Sequence, residues 1–208
     1  MGVEARSERS TTSDFFSFLG LPRKLGIDAA DLEQRYRALS RQYHPDYFYN
    51  APPAERRASL ERSSYLNDAY RTLRNSASRI EYLLKVEGAV DGNGKERAGS
   101  SQAAPPPGLL EEVFALNEEL DEIRALRAGG APVEQWKPRL ERARQPIEAK
   151  RAEHEAAIDE LARAWDSVVE ARGSDADRGR ILQELRSRFL ERNYINNLLA
   201  DMEREISS

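Results

Sequence analysis

The chain holds two histidines in 208 residues, and one of them lies in the tripeptide His44-Pro45-Asp46. A histidine two positions from a carboxylate could act as a base with its orienting acid. The intervening proline makes it awkward for Asp46 to hold the ring as a catalytic triad requires. No Gly-rich phosphate loop, His-Glu-x-x-His pair or nucleophile elbow accompanies them. The chain has no cysteine, which excludes disulfides, thiolate zinc sites and cysteine-held iron–sulfur clusters built by this chain alone. His154, in AKRAEHEAAIDE, is expected on a solvated helix face, with a metal site shared with neighbouring glutamates as the sharper alternative. No enzyme, cofactor or metal centre is expected. His44-Pro45-Asp46 is then either a helix stop with a polar turn or a contact site for a partner.

The surrounding elements give the tripeptide its setting. Asp28 is a plausible N-cap, with Asp31 placed to meet the positive end of the helix that follows. Leu32, Tyr36, Leu39 and Tyr43 recur at spacings of 4, 3 and 4, one narrow apolar stripe. Gln34, Arg37 and Arg41 fall roughly opposite, so the helix has one face to bury and one basic face. Pro45 ends it and pushes His44 toward an extended conformation. A second helix starts near Pro53, a residue suited to a first helical turn, and carries Leu66, Ala69, Tyr70 and Leu73. The pair forms a helical hairpin. Short flanking helices are expected at Phe15, Phe16 and Leu19, before Gly20 and Pro22, and from Ser78 to Val86 with Ile80, Leu83 and Leu84 inward.

Beyond this region the composition changes. Residues 88–108 contain five glycines and three consecutive prolines and read as a linker. Residues 109–208 read as a three-helix bundle, with a Gly-Gly stop after the first helix, a middle segment from Pro132 to about Arg172 and a last helix from Asp177 to Glu205. Pro146 is expected to break or kink the middle helix. The fold class is all-α: a tail over 1–13, a first domain over 14–87, the linker, and a second domain over 109–208.

Charge narrows the partners. The formal net charge is −4, with 14 Lys/Arg against 12 Asp/Glu in residues 1–87 and 16 against 22 in 109–208. No global basic field exists to hold nucleic acid or an anionic membrane. No apolar run reaches the ~20 residues that span a bilayer, and the first residues lack a secretory apolar region. A cytoplasmic location is expected, as a monomer or weak dimer.

Residues 14–87 resemble a J-domain. The order is a short first helix, a basic second helix, His44-Pro45-Asp46 in the loop, and a third helix with LNDAYRTL (Leu66–Leu73). That last run is similar to the family's apolar-Asn-x-Ala-Tyr-x-x-Leu pattern. DFFSFLGLP and SRIEYLLKVEG resemble one subgroup, the HscB-type iron–sulfur cluster co-chaperones. LLEEVFALNEELDEI (Leu109–Ile123) and RFLERNYINNLL (Arg188–Leu199) are similar to the first and last helices of that subgroup's second domain.

The resemblance implies two partners. The first is a DnaK/HscA-type chaperone whose ATP hydrolysis is accelerated by contact with Arg37, Arg41, His44, Pro45 and Asp46. Arg35 is either an assistant to that contact or a solvated flank. The second is an IscU-type cluster scaffold protein, contacted by Leu110, Glu111, Phe114, Ala115, Glu118 and Phe189. Leu110, Phe114 and Glu118 share one helix face, either an exposed apolar patch rimmed by acid or, for Leu110, Phe114 and Phe189, bundle core. The chain departs from the family pattern at Glu111, at Ala115 and at Tyr47, where a lysine is usual. An alternative is a J-domain co-chaperone for another client, with the C-terminal bundle as adaptor or dimerisation module.

Overall fold

Asp14 caps a four-residue helix, α1 (Phe15–Phe18), its carboxylate accepting the Ser17 N–H. The computed structural model describes residues 14–89 and 106–207, and every regular element among them is helical. The expected tail over 1–13 and most of the expected linker over 88–108 lie outside the described residues. Two compact units result, Met1–Gly88 with Val169–Ala171, and Ala89–Val168 with Arg172–Ser208.

In the first unit, Asp28 caps α2 (Ala29–Tyr43) by accepting both the Ala30 and Asp31 N–H groups at 2.8 Å. α3 (Pro53–Arg74) returns alongside it. The Ser59 hydroxyl donates to the Tyr43 carbonyl and the Tyr36 hydroxyl to Asn67 Oδ1, so the two helices run antiparallel. Asn75 then caps α4 (Ser76–Val86), which buries Ile80, Leu83 and Leu84. Of the α2 stripe only Leu32 is fully buried. Tyr36, Leu39 and Tyr43 are half-buried, and Tyr36 stacks on Tyr70 at 4.2 Å.

Aromatic rings fasten α1 to the hairpin. Phe15 stacks on Tyr82 at 4.3 Å and meets the edge of Tyr65 at 5.0 Å, and Phe18 meets Tyr65 at 4.9 Å. Burial among these rings pushes the Tyr65 phenol up to about 12. Arg35 has work inside the fold. Its guanidinium holds Asp31 at 2.9 Å and donates to the Gly20 and Leu19 carbonyls at 2.8 and 3.3 Å. It is a strut between α2 and the turn after α1. Gly20 makes that turn with φ +67°, and a Cβ there would come within 3.0 Å of Arg35 Nη1. Arg23 bridges Asp14 at 2.6 Å and Glu87 at 3.0 Å. Burial alone would raise the Asp14 carboxyl, but the Ser17 N–H and Arg23 outweigh it and hold it below the usual range.

The second unit has three helices, α5 (Leu110–Ala128), α6 (Val133–Glu170) and α7 (Asp175–Ser207). Leu109, Val113, Leu116, Leu120 and Ile123 recur at spacings of 4, 3, 4 and 3, all buried, the pattern of a coiled-coil seam. They pack with Leu140 and Ile147 of α6 and with Tyr194, Ile195, Leu198, Leu199 and Met202 of α7. Ion pairs fix the directions. Arg139 meets Glu119 at 2.6 Å and also Glu122, while Lys150 meets Glu112, so α5 and α6 are antiparallel. The Arg144–Glu203 pair and the approach of His154 to Glu191 set α6 antiparallel to α7.

Two expectations are corrected here. α6 is one helix of 38 residues that runs through Pro138 and Pro146, so of the break or kink expected at Pro146 the break is absent. An interior proline removes one main-chain hydrogen bond and costs about 3 kcal/mol. Leu140 and Ile147, both in the core, hold the helix on either side of that loss. His154 is not solvated. It is 6% exposed, at the heptad position continuing Leu140 and Ile147, with Nδ1 3.3 Å from Glu191 Oε2. Burial pushes its imidazole below the usual value, Glu191 opposes this, and Arg188 and Lys150 reinforce it. Among the described residues no three acidic or histidine side chains are placed to hold a metal, and no helix is long and apolar enough to cross a membrane.

Two measurements follow from this packing. Gly20→Ala should lower the stability of the first unit by about 1–2 kcal/mol, read by denaturant unfolding, because an L-residue is forced to a positive φ. The second concerns pH. The folded state binds a proton at His154 less readily than the unfolded chain, whose imidazole titrates near ~6.5. The contribution of neutral His154 is therefore complete above that pH and is lost as pH falls through the folded value. His154→Leu should flatten the acid limb of the second unit's melting temperature against pH. Equal slopes in the two proteins would contradict it.

Candidate functional site

The site grows from the end of α2. Pro45 has no N–H to donate, and its ring disfavours a helical residue before it. His44 accordingly adopts φ −61°, ψ 127°, and Pro45–Phe48 form a single 3₁₀ turn with Pro45 at its start. The turn closes on itself: Tyr47 N–H donates to the His44 carbonyl at 3.1 Å and Ala51 N–H to the Phe48 carbonyl at 3.0 Å. His44 Nδ1 accepts the Asp46 N–H at 3.3 Å. Asp46 Oδ2 lies 3.5 Å from the same nitrogen. The turn presents both side chains to solvent.

Asp46 and His44 are exposed, and Arg37 and Arg41 stand on the outer face of α2. Arg37 pairs with Glu33 one turn back at 2.6 Å, a surface contact that screens readily. Two shallow depressions meet at Arg41. One, about 390 Å³, follows α2 past Glu33, Gln34 and Arg37. The other, about 260 Å³, is lined by Ser40, Arg41, His44, Asp46 and Tyr47. Tyr47, the departure from the family pattern, is thus a wall of the same depression as His44 and Asp46. Sequence reasoning left it without a place because a surface tyrosine has no periodicity to betray it.

In the second unit, the seam residues turn inward and leave the opposite side of α5 in solvent. Leu110, Glu111, Phe114, Ala115 and Glu118 are all exposed, Phe114 at 70%. Leu110 and Phe114 are therefore not bundle core. Phe189 differs from the expectation that it shares this surface. It is 6% exposed, and the Arg192 guanidinium lies 5.0 Å over its ring. Its spacing of 7 and 4 from Leu182 and Leu185, both buried, is a core spacing, which explains the result. A cleft of about 630 Å³ between α5 and α6 borders the exposed face, sharing Glu111 and Ala115 and adding Arg139, Arg142 and Pro146. Those α6 residues could not be joined to α5 from sequence, because the pairing of the two helices fixes which turns face each other.

Comparison with known proteins places these geometries. A model of the DnaJ domain matches residues 14–82. The co-chaperone protein HscB of Proteus mirabilis (strain HI4320) is 37% identical over 110 residues, covering 53% of this chain and 60% of that protein's length. Among solved structures, the chaperone HscB from Vibrio cholerae aligns over 94% of this chain and 98% of its own, with a TM-score of 0.54 and 21% identity. The crystal structure of human co-chaperone protein HscB aligns over 94% and 83%, with a TM-score of 0.56 and 25% identity. Residues 14–82 are therefore a DnaJ domain, and the chain that carries it is HscB-like in sequence and in fold.

Proposed function

We propose that this chain is a cytoplasmic co-chaperone for iron–sulfur cluster biogenesis, without enzymatic activity of its own. It delivers an IscU-type scaffold protein to a DnaK/HscA-type chaperone and stimulates that chaperone's ATPase. The observation that carries the first half is the His44-Pro45-Asp46 turn. Its main chain satisfies its own hydrogen bonds while His44 and Asp46 stay exposed beside Arg37 and Arg41. These groups face outward in a fixed geometry, so docking requires little ordering of the turn. The arginines meet acidic partner residues as rim contacts, which weaken with salt.

The second half is supported by the outer face of α5. Leu110 and Phe114 are exposed apolar side chains with Glu111 and Glu118 around them, and the fold of α5 does not need them. The scaffold seats on this face, and Phe189 contributes by supporting the bundle beneath it instead of touching the scaffold.

Two experiments test the halves separately. His44→Gln should abolish stimulation of the chaperone's steady-state ATPase while moving stability by no more than about 1 kcal/mol, the worth of one hydrogen bond. Stimulation retained by the folded variant would refute the docking mechanism. Leu110→Ser with Phe114→Ser should leave the melting curve within about 0.5 kcal/mol of the parent, as exposed positions do, and should lose scaffold binding measured by calorimetry. Phe189→Ala should instead cost about 3–5 kcal/mol of stability. Unchanged scaffold affinity in the Leu110/Phe114 double variant would favour another client, with the bundle serving as an adaptor or dimerisation module.

A further inference from the structure

The cleft between α5 and α6, about 630 Å³, is bracketed by ion pairs internal to the bundle. On one side Arg139 holds Glu119 in two hydrogen bonds of 2.6 and 3.2 Å and also reaches Glu122. On the other Lys150 meets Glu112 at 3.4 Å. The floor between these pairs is apolar, made by Ala115 and Leu116 of α5 and by Ala143 and Pro146 of α6. Ala115 is exposed and offers only a methyl group, so it leaves the floor open. Two charges on the walls stand outside the bracketing pairs. Among the described residues no ion pair joins Glu111 on the α5 wall or Arg142 on the α6 wall, and Arg142 donates through Nε to the Pro138 carbonyl at 3.3 Å. Arg142 acts on Glu119 through space only. The Arg139 hydrogen bonds come first in holding that carboxyl below its usual range, and Arg142 adds to them.

An apolar floor between an unpaired guanidinium and an unpaired carboxylate calls for an occupant of mixed character. A simple anion would gain Arg142 but would face Glu111 and leave the floor wet. A wholly apolar side chain would strip water from Arg142 and give nothing back. A protein segment with an apolar side chain beside an acid satisfies the floor and Arg142 together. Glu111 and Ala115 also belong to the outer face of α5, so the cleft continues the surface on which the scaffold is seated. We infer that this cleft is a second subsite of that surface, in which an apolar scaffold side chain lies on the floor at Ala115 and Ala143 and an adjoining scaffold carboxylate pairs with Arg142. The inference rests on the scaffold-binding reading above and extends it from α5 to α6. Glu111 repels an acid from the opposite wall, so the two unpaired charges fix which way round the segment lies.

The test uses the full chain and an IscU-type scaffold protein, with affinity measured by calorimetry at low and high salt. Ala115→Leu fills the floor from an exposed helical position. It should keep the parental melting curve and weaken scaffold binding about tenfold or more. Arg142→Ala should weaken binding about two- to fivefold at low salt, the range of an exposed ion pair, and the difference should fade at high salt. Arg142→Lys keeps the charge and should keep most of the affinity. Parental or tighter binding by Ala115→Leu overturns the inference, since the floor is then unoccupied in the complex. If Leu110→Ser with Phe114→Ser still loses binding in that case, the scaffold reading survives it. A loss in Arg142→Ala that is the same at both salt concentrations also overturns it, because the group opposite Arg142 is then not an acid. Self-association of the chain that Ala115→Leu abolishes, with scaffold affinity unchanged, overturns it in favour of a second copy.

Discussion

Pro45 cannot donate a hydrogen bond, and its ring disfavours the helical conformation for the residue before it. From that one restriction follow the end of α2, the extended backbone of His44 and the start of the 3₁₀ turn. His44 then has a ring nitrogen within reach of the Asp46 N–H, which stiffens the turn further. The chain regains a helix at Pro53, a second proline used in the opposite sense, at a helix start where no donor is needed. Ser59 closes the hairpin by donating to the last carbonyl of α2. The outward geometry of Arg41, His44 and Asp46 thus results from donors withheld and returned at known positions.

The second unit is organised by a period instead of a turn. A seven-residue repeat runs through α5 as Leu109, Leu116 and Ile123 with Val113 and Leu120 between, and through α6 as Leu140, Ile147 and His154. A seam so narrow buries little more than one side of each helix. The far side of α5 is free to carry side chains chosen for other purposes, and Leu110, Phe114 and Glu118 are among them. Pro146 sits on the outside of the same scheme. It is exposed, between Ile147 on the seam and the cleft it helps to line. The bundle tolerates the proline because the residues that hold α6 in place are its neighbours.

The all-helical class, the hairpin and the Asp28 cap were legible because they depend on local rules: apolar spacing, a side chain able to reach a helix start, and proline's missing donor. The exposed residues around His44 were legible for the same reason, since the stripe of Leu32, Tyr36 and Tyr43 fixes which side of α2 remains outside. The internal contacts of Arg35 were not legible, because its partners, the Gly20 and Leu19 carbonyls, come from a turn whose approach only the folded chain defines. His154 was misread by residue type, and Phe189 was left open between scaffold contact and bundle core, although the spacing that buries them was present. His154 follows Ile147 by seven residues, and Phe189 follows Leu182 by seven. Counting period before chemistry would have placed both inside.

Arg23 ties Asp14, at the first described residue of the unit, to Glu87, just past its last helix. Arg23 therefore brings the two ends of the described DnaJ unit to one corner, where Phe15 also stacks on Tyr82. A module wired in this way can be hung from other sequences, or inserted within them, without stretching the hairpin. Its neighbours along the chain can diverge in length and composition while the turn at Pro45 keeps its shape.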